Sequence, residues 1–319
     1  MIQPCIGGAF SPRTDLANEC LELHFGNTKP DIDGIISRSE SRHGKRCDIL
    51  EITNSTGAVK LAKPIGKYIT LDVGKITLCT RESFEELVNL CAETLSDLLP
   101  EKGSCLLACL GNRKITADAQ GPLCADYFIV SRHIKENTPK LFSSLELAET
   151  MCIVPDVLGN TGIEAAHTVK GIVESIKPDF VIAVDSLAAR KSARVGTTVQ
   201  MSNAGIAPGS GIGNHRAALN RKTLGVPVIS IGVPTVVDAV TVCTDVLEQA
   251  FSEDIVQNIS EDTKNSILKS VLQNGSYGYF VTPKNADDIA KAAARLIGFS
   301  VNKALNPGLT ISEMEELIG

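Results

Sequence analysis

The sequence predicts an α/β fold: a mostly parallel sheet with helices on both faces. Short, uninterrupted apolar runs recur at residues 104–110 (SCLLACL), 151–154, 180–184 (FVIAV), 199–201 and 226–231 (VPVISI). Segments of helical periodicity lie between and after them, at roughly 120–135, 162–176, 214–222, 238–250, 261–273 and 285–303. Strands covered on both faces read as continuous apolar runs, and their alternation with helices calls for parallel crossovers. The composition supplies the material. Of 319 residues, 43% are apolar and 21% charged, which excludes wholesale disorder. With nine Phe, four Tyr and no Trp, the core must be aliphatic. Binding of single-stranded nucleic acid on stacked aromatic platforms is not expected.

The first hundred residues are more mixed. Residues 15–23 (DLANECLEL) have amphipathic helical spacing, 31–34 (DIDG) read as a turn, and 48–53 and 68–73 (YITLDV) as strands. A helix is predicted over 82–99, with Phe84, Leu87, Val88 and Cys91 on one side. No internal repeat or low-complexity linker divides the chain. The expectation is one large domain with an N-terminal elaboration over about 16–100.

Charge and cysteine usage exclude several classes. With 31 basic and 37 acidic residues the net charge is −6, the wrong sign for gripping phosphate backbones. The one short basic stretch, Arg42 to Arg46 (RHGKR), reads as a solvated loop. No stretch approaches 18 uninterrupted apolar residues, so no membrane span is expected. The opening residues lack the basic and apolar regions of a secretory signal. Ten scattered cysteines form no CxxC, and Cys105 and Cys109 share one strand face. The set reads as reduced, buried small hydrophobes, with no zinc-ligand spacing.

Ligand sites in open α/β sheets gather beyond the carboxyl ends of the strands. Three loops there stand out. The loop after SCLLACL carries Asp118, which reads either as a helix N-cap or as a functional carboxylate. The loop after FVIAV opens with Asp185, which reads either as a cap or ion-pair partner of Arg190 or Arg194, or as a functional carboxylate. Two carboxylates on neighbouring strand ends suit acid–base chemistry, because like charges keep both from ionising together. The same pair suits a hard divalent metal. The third loop, 202–214 (SNAGIAPGSGIGN), has Gly205, Gly209, Gly211 and Gly213. It matches neither GxGxxG after a strand nor a GKS/GKT loop, so a structural or cleft-covering role is expected over a nucleotide cradle. No GxSxG elbow is present, and His133, His167 and His215 have no local nucleophile partner.

Taken in order, these motifs resemble the germination protease (spore protease) family of endospore-forming bacteria. The resemblance rests on RTDLA at 13–17, GNRKITADAQGP at 111–122, GNTGIE at 159–164, KPD at 177–179 and VIAVDSLAAR at 181–190. It continues with the long run at 202–241, then FVTP at 280–283 and ALNPG at 304–308. The resemblance implies a fold similar to hydrogenase maturation proteases (phosphorylase/hydrolase-like). It implies an atypical aspartic endopeptidase that starts the degradation of small acid-soluble DNA-binding spore proteins at germination, in the cytoplasm of the forespore or spore core. It maps the family's two catalytic aspartates onto Asp118 and Asp185, and implies no cofactor, no metal, no direct nucleic-acid or membrane contact, and a homotetramer. It also implies a self-processing zymogen. Family substrates are cut after an acidic residue, before hydrophobic-Ala-x-Glu, and Asp15-Leu16-Ala17-Asn18-Glu19 has that pattern. The expected organisation is therefore a 1–15 propeptide cut between Asp15 and Leu16, and a 16–319 protease domain. The glycine loop is expected to line the cleft. Ala117 departs from the proline common in the family. The alternatives are a metal-dependent hydrolase on the same scaffold and a non-catalytic binder of the spore proteins.

Overall fold

The computed structural model describes residues 14–26, 32–207, 217–239, 241–243, 245–246, 263, 266 and 279–318. The apolar runs do form strands: β4 (Cys105–Cys109), β5 (Thr150–Ile153), β6 (Phe180–Val184), β8 (Thr198–Ser202) and β9 (Val228–Gly232). The N-terminal region adds β1 (Ile35–Arg42), β2 (Lys45–Ile52) and β3 (Gly66–Asp72). All eight lie in one sheet, ordered β1-β2-β3-β8-β9-β6-β4-β5. A smaller sheet joins β7 (Leu187–Ala189), β10 (Pro234–Asp238) and β11 (Phe280–Val281) in the order β11-β10-β7.

The main sheet is mixed, which corrects the expectation of a mostly parallel one. Only β5-β4, β4-β6 and β6-β9 pair in parallel. The pairings β1-β2, β2-β3, β3-β8 and β8-β9 are antiparallel. The reason lies in the connections. β1 and β2 are joined by His43 and Gly44 alone, and a two-residue link permits only an antiparallel hairpin. The RHGKR stretch is the tip of this hairpin.

Strand alternation sorts the side chains onto two faces. On one, Ile69, Leu71, Leu107, Cys109, Ile182, Val184, Val199, Met201 and Ile231 form a core with α3 (Arg81–Ser96), α10 (Ala286–Leu305) and α11 (Ile311–Ile318). Phe84, Leu87, Val88 and Cys91 are buried there, as their spacing predicts, and the Arg295 guanidinium stacks on the Phe84 ring. On the other face, α8 (Ala165–Ile176) and α9 (Arg221–Leu224) cover Leu106, Ala108, Val181, Ala183 and Val228. On the same face, α1 (Ala17–Phe25) and α2 (Ser55–Leu61) cover Leu50, Ile52 and Tyr68. Between these two apolar patches the alternation leaves a buried polar strip of Thr70, Gln200, Ser202 and Ser230.

Helices on both faces are thus present, but two of the expected ones differ. The 120–135 segment is broken into α4 (Gln120–Cys124), a 3₁₀ turn and α5 (Arg132–Asn137). Phe128 and Ile129 are extended and buried between them, and Asn302 of α10 holds the break by accepting from Ile129 N–H (3.0 Å) and donating to Tyr127 O (2.7 Å). In the described part of the 214–222 segment, residues 217–222, only the end is helical. Leu219 instead forms a β-bridge with Ile206, and Asn220 closes a capping box on α9. The expected helices at 238–250 and 261–273 lie largely outside the described residues.

Gly121 marks the tightest packing in this layer. A Cβ there would lie 2.1 Å from Leu110 O and 2.7 Å from Val184 O, both backbone atoms. Gly171, in α8, is exposed with nothing within 4 Å. Gly121→Ala is expected to destabilise by about 1–3 kcal/mol through overpacking. Gly171→Ala should stabilise by about 0.5–1 kcal/mol through helix propensity. Urea unfolding midpoints of the two variants check both signs.

Candidate active site at the carboxyl ends of the parallel strands

β4 and β6 are parallel neighbours, with Cys109 opposite Val184. The ladder runs one bond further, Leu110 N–H to Val184 O (2.8 Å), before β4 leaves the sheet. Gly111 then turns with φ 115°, a left-handed-side conformation that favours glycine. A Cβ there would also lie 2.1 Å from Asp118 O. The loop closes on itself at this point. Asn112 N–H donates to both Asp118 O (3.0 Å) and Asp118 Oδ2 (2.9 Å). Thr235 Oγ1 donates to Ala117 O (2.6 Å), tying the residue beside Asp118 to β10. The helix-cap reading of Asp118 is corrected. The residue ends a 3₁₀ turn (Thr116–Asp118), α4 is capped by Ala119 without a side-chain bond, and the Asp118 carboxylate turns back to Asn112 instead. Asp118 is half-buried.

Asp185 follows β6 directly. Its N–H donates to Ile231 O (3.2 Å), so it continues the β6–β9 ladder one residue beyond Val184. Its Oδ1 accepts from Ser186 N–H (2.9 Å), and the residue is 5% exposed. The two sequence-predicted aspartates therefore belong to the same end of adjacent parallel strands, whose backbones run about 5 Å apart. Gln120, fully buried, fastens α4 to this end by accepting from Val233 N–H (3.1 Å).

The segment containing Asp15 and Leu16 is docked beside this end. Asp15 N–H donates to Ala188 O (2.9 Å), and Asp15 Oδ2 accepts from Ala188 N–H (2.9 Å). Leu16 is fully buried against Leu187, Ala189, Val195 and Val237. Asp15 O accepts from Lys63 Nζ (2.9 Å) and from Gln200 Nε2 (3.0 Å), while Gln200 Oε1 accepts from Ala17 N–H (2.7 Å). Glu19 is fully buried, 3.1 Å from Arg194 Nη1, and accepts from the backbone N–H groups of Arg190 and Lys191 and from the Thr14 hydroxyl. Arg194 also reaches Glu22 (2.6 Å). The expected helix is present as α1, but neither Thr14 nor Asp15 caps it. Leu16 occupies the N-cap position without a side-chain bond, and Gln200 of β8 receives the first helical N–H. Sequence reading did not single out Lys63, Gln200 or Gln120. Nothing in the local sequence marks the distant partners of these three side chains.

In the glycine loop, Gly205 has φ 79° and packs against Leu219 O, where a Cβ would lie at 2.2 Å. Gly209, Gly211 and Gly213 lie outside the described residues, as does His215. The nine described cysteines carry no disulfide, and Cys105 and Cys109 do share one face. Burial pushes the Cys91 thiol up to about 12. Among the described residues, no three His, Cys, Asp or Glu side chains gather as a metal-holding group, and no helix is long and apolar enough to cross a membrane. A groove of about 700 Å³ between residues 76–84 and α10 includes neither aspartate.

Arg194→Met would leave the Glu19 carboxylate buried without its counter-ion. Breaking a buried pair in this way costs about 3–5 kcal/mol. The expected outcome is undocking of residues 14–25, read as faster limited proteolysis before Gly26. Glu19→Gln keeps the acceptor oxygen and should undock less.

Comparison with known proteins now bears on this geometry. A family model described as germination protease matches residues 15–254. The germination protease of Clostridium perfringens (strain 13) is 36% identical, covering 97% of this chain and 99% of its own length. That of Caldanaerobacter subterraneus subsp. tengcongensis is 38% identical over 96% and 98%. That of Priestia megaterium is 32% identical over 93% and 94%. The chain belongs to the germination protease family, and is an endopeptidase.

Proposed function

From membership of an endopeptidase family that acts in spore germination, we propose that this chain starts the breakdown of small acid-soluble, DNA-binding spore proteins inside the spore. In this reading residues 1–15 are a leader and 16–319 the working protease, which assembles as a homotetramer. Asp118 and Asp185 form the catalytic pair. The observation that supports the reading is their placement at the carboxyl ends of adjacent parallel strands: Asp185 directly follows β6, and Asp118 is folded back to the end of β4 by the loop that closes on Asn112.

The chemistry follows from the pairing. Two carboxylates close together share one proton, because like charges resist joint ionisation. The ionised member takes a proton from water, and the protonated member donates to the scissile carbonyl or leaving nitrogen. The pair titrates as a unit, so the two roles belong to the dyad and not to one residue each. Asp185 is buried and Asp118 half-buried, so the pair is partly shielded yet open to water on one side. The leader reading is supported by the docking of Asp15 and Leu16 beside the same strand ends.

Asp118→Asn and Asp185→Asn, made singly, are each expected to lower kcat on an added spore protein by roughly 10⁴-fold or more. Each should also stop self-processing, and full activity in either variant refutes the dyad. Activity should persist in chelator. Mass spectrometry of the processed wild-type chain should find Leu16 at its N-terminus; any other start refutes the leader boundary.

A further inference from the structure

The carbonyl oxygen of Asp15 has an unusual setting. Two donors from distant parts of the chain converge on it: Lys63 Nζ at 2.9 Å and Gln200 Nε2 at 3.0 Å. Lys63 follows α2, whose C-cap Ala62 is left-handed (φ 48°). Gln200 lies in β8. The Gln200 carboxamide orientation is fixed by its two partners. Ala17 N–H requires an acceptor and Asp15 O a donor, so the oxygen must face the first and the nitrogen the second. One side chain thereby holds the backbone on both sides of Leu16, whose own side chain is sealed in an apolar pocket.

We propose that Lys63 and Gln200 form a carbonyl clamp that positions and polarises the Asp15 carbonyl for hydrolysis of the Asp15–Leu16 bond. The proposal rests on the reading that this bond is the one processed. Both donors already hydrogen-bond the ground-state carbonyl oxygen, at 2.9 and 3.0 Å, and the proposal requires that they follow it as charge develops there. The clamp is also on the correct side of the sheet. Gln200 pairs with Gly232, and Asp185 continues the β6 ladder beside Gly232. Residues paired across strands share a face, so Gln200 and Asp185 face the same way, two strand spacings apart, about 10 Å between backbones. Gly232 itself carries no side chain there, and the Leu187 side chain packs over it, 2.9 Å from where a Cβ would lie.

In the step, water adds to the Asp15 carbonyl carbon, losing a proton to the aspartate pair. The C=O π electrons move to oxygen, where Lys63 and Gln200 N–H groups hold the new negative charge. Collapse breaks the C–N bond, and the pair returns the proton to the Leu16 nitrogen. Water has supplied OH to carbon and H to nitrogen. The products are an Asp15 carboxylic acid and a Leu16 amine, and transfer of the acid proton to the amine leaves a carboxylate and an ammonium terminus.

A structural anchor for α1 would use the same contacts, so the test separates the two roles. Gln200→Glu keeps an oxygen to accept Ala17 N–H but removes the donor to Asp15 O. Lys63→Met removes the other donor, and Lys63→Arg restores one. First, the N-terminus of the processed wild-type chain is mapped; a start other than Leu16 overturns the underlying reading and the clamp with it. With Leu16 confirmed, the first-order rate of self-processing is measured in each variant, alongside urea midpoints. The clamp predicts a fall of roughly 10²-fold or more for Gln200→Glu and for Lys63→Met, partial recovery in Lys63→Arg, and docking of α1 retained in Gln200→Glu by limited proteolysis. Wild-type or faster processing in Gln200→Glu or Lys63→Met overturns the clamp while leaving the processing site intact. If Lys63→Met unfolds, Gln200→Glu decides alone.

Discussion

A buried carboxylate needs a counter-charge and donors, and the placement of the whole N-terminal segment depends on how Glu19 meets that need. The side chain is fully buried, and an isolated charge there would cost several kcal/mol. Its partners are the Arg194 guanidinium, two consecutive backbone N–H groups at Arg190 and Lys191, and the Thr14 hydroxyl. Three of these come from the few residues that follow β7. Satisfying Glu19 therefore forces the start of α1 against β7. Asp15 then falls alongside Ala188, Leu16 enters the pocket formed by Leu187, Ala189, Val195 and Val237, and Ala17 N–H meets Gln200. The position of the Asp15 carbonyl follows from a charge four residues away.

That arrangement holds two opposing requirements. Tight docking immobilises the backbone around Leu16, which favours an oriented reaction because the entropy of alignment is already lost. The same docking keeps the segment in place while the chain is intact. Hydrolysis would change the balance on one side only. The portion from Leu16 onward keeps its buried side chain, its Gln200 contact and the Glu19 cluster. Of the portion ending at Asp15, the described residues keep the Thr14 contacts, the paired Ala188 bonds and the hold on the carbonyl end.

Half of the fold was legible in the sequence, and the division has a physical cause. β4, β6 and β9 are buried on both faces and read as continuous apolar runs, so their existence, and the parallel pairing among them, were evident. β1 (IISRSESR) has a solvated face and no such run. β7 is short and sits in the loop after FVIAV, and β10 falls between the run at 226–231 and the segment at 238–250, where the sequence predicts no strand. β2, β3 and β8 read as strands at 48–53, 68–73 and 199–201, but without β1 and its hairpin their antiparallel pairing does not show, and the sheet reads as more parallel than it is. Asp118 and Asp185 stand out as candidates because position after a buried strand is itself a signal, sharpened by the family motifs. Glu19 reads as an ordinary polar position in an amphipathic helix, and nothing local announces that it is buried. Gln200 lies in a visible polar-apolar alternation (TVQMS), but its side-chain partners, Ala17 N–H and Asp15 O, lie 183 and 185 positions away in the N-terminal segment.

The line between the parallel and antiparallel halves also explains why these residues meet. β8 runs opposite to β9, with Gln200 beside Gly232 at the end of β9. The chain from Asp185 must therefore cross the carboxyl ends of the parallel strands before it can descend as β8. Along that crossing it supplies Asp185, the Ala188 backbone groups, the Arg190 and Lys191 N–H groups, Arg194 and finally Gln200. A fully parallel sheet would have sent this stretch down a helix on one face and scattered those groups. The strand that breaks the parallel order is thus the one that gathers them, at the kind of switch in strand order where α/β sheets open a crevice.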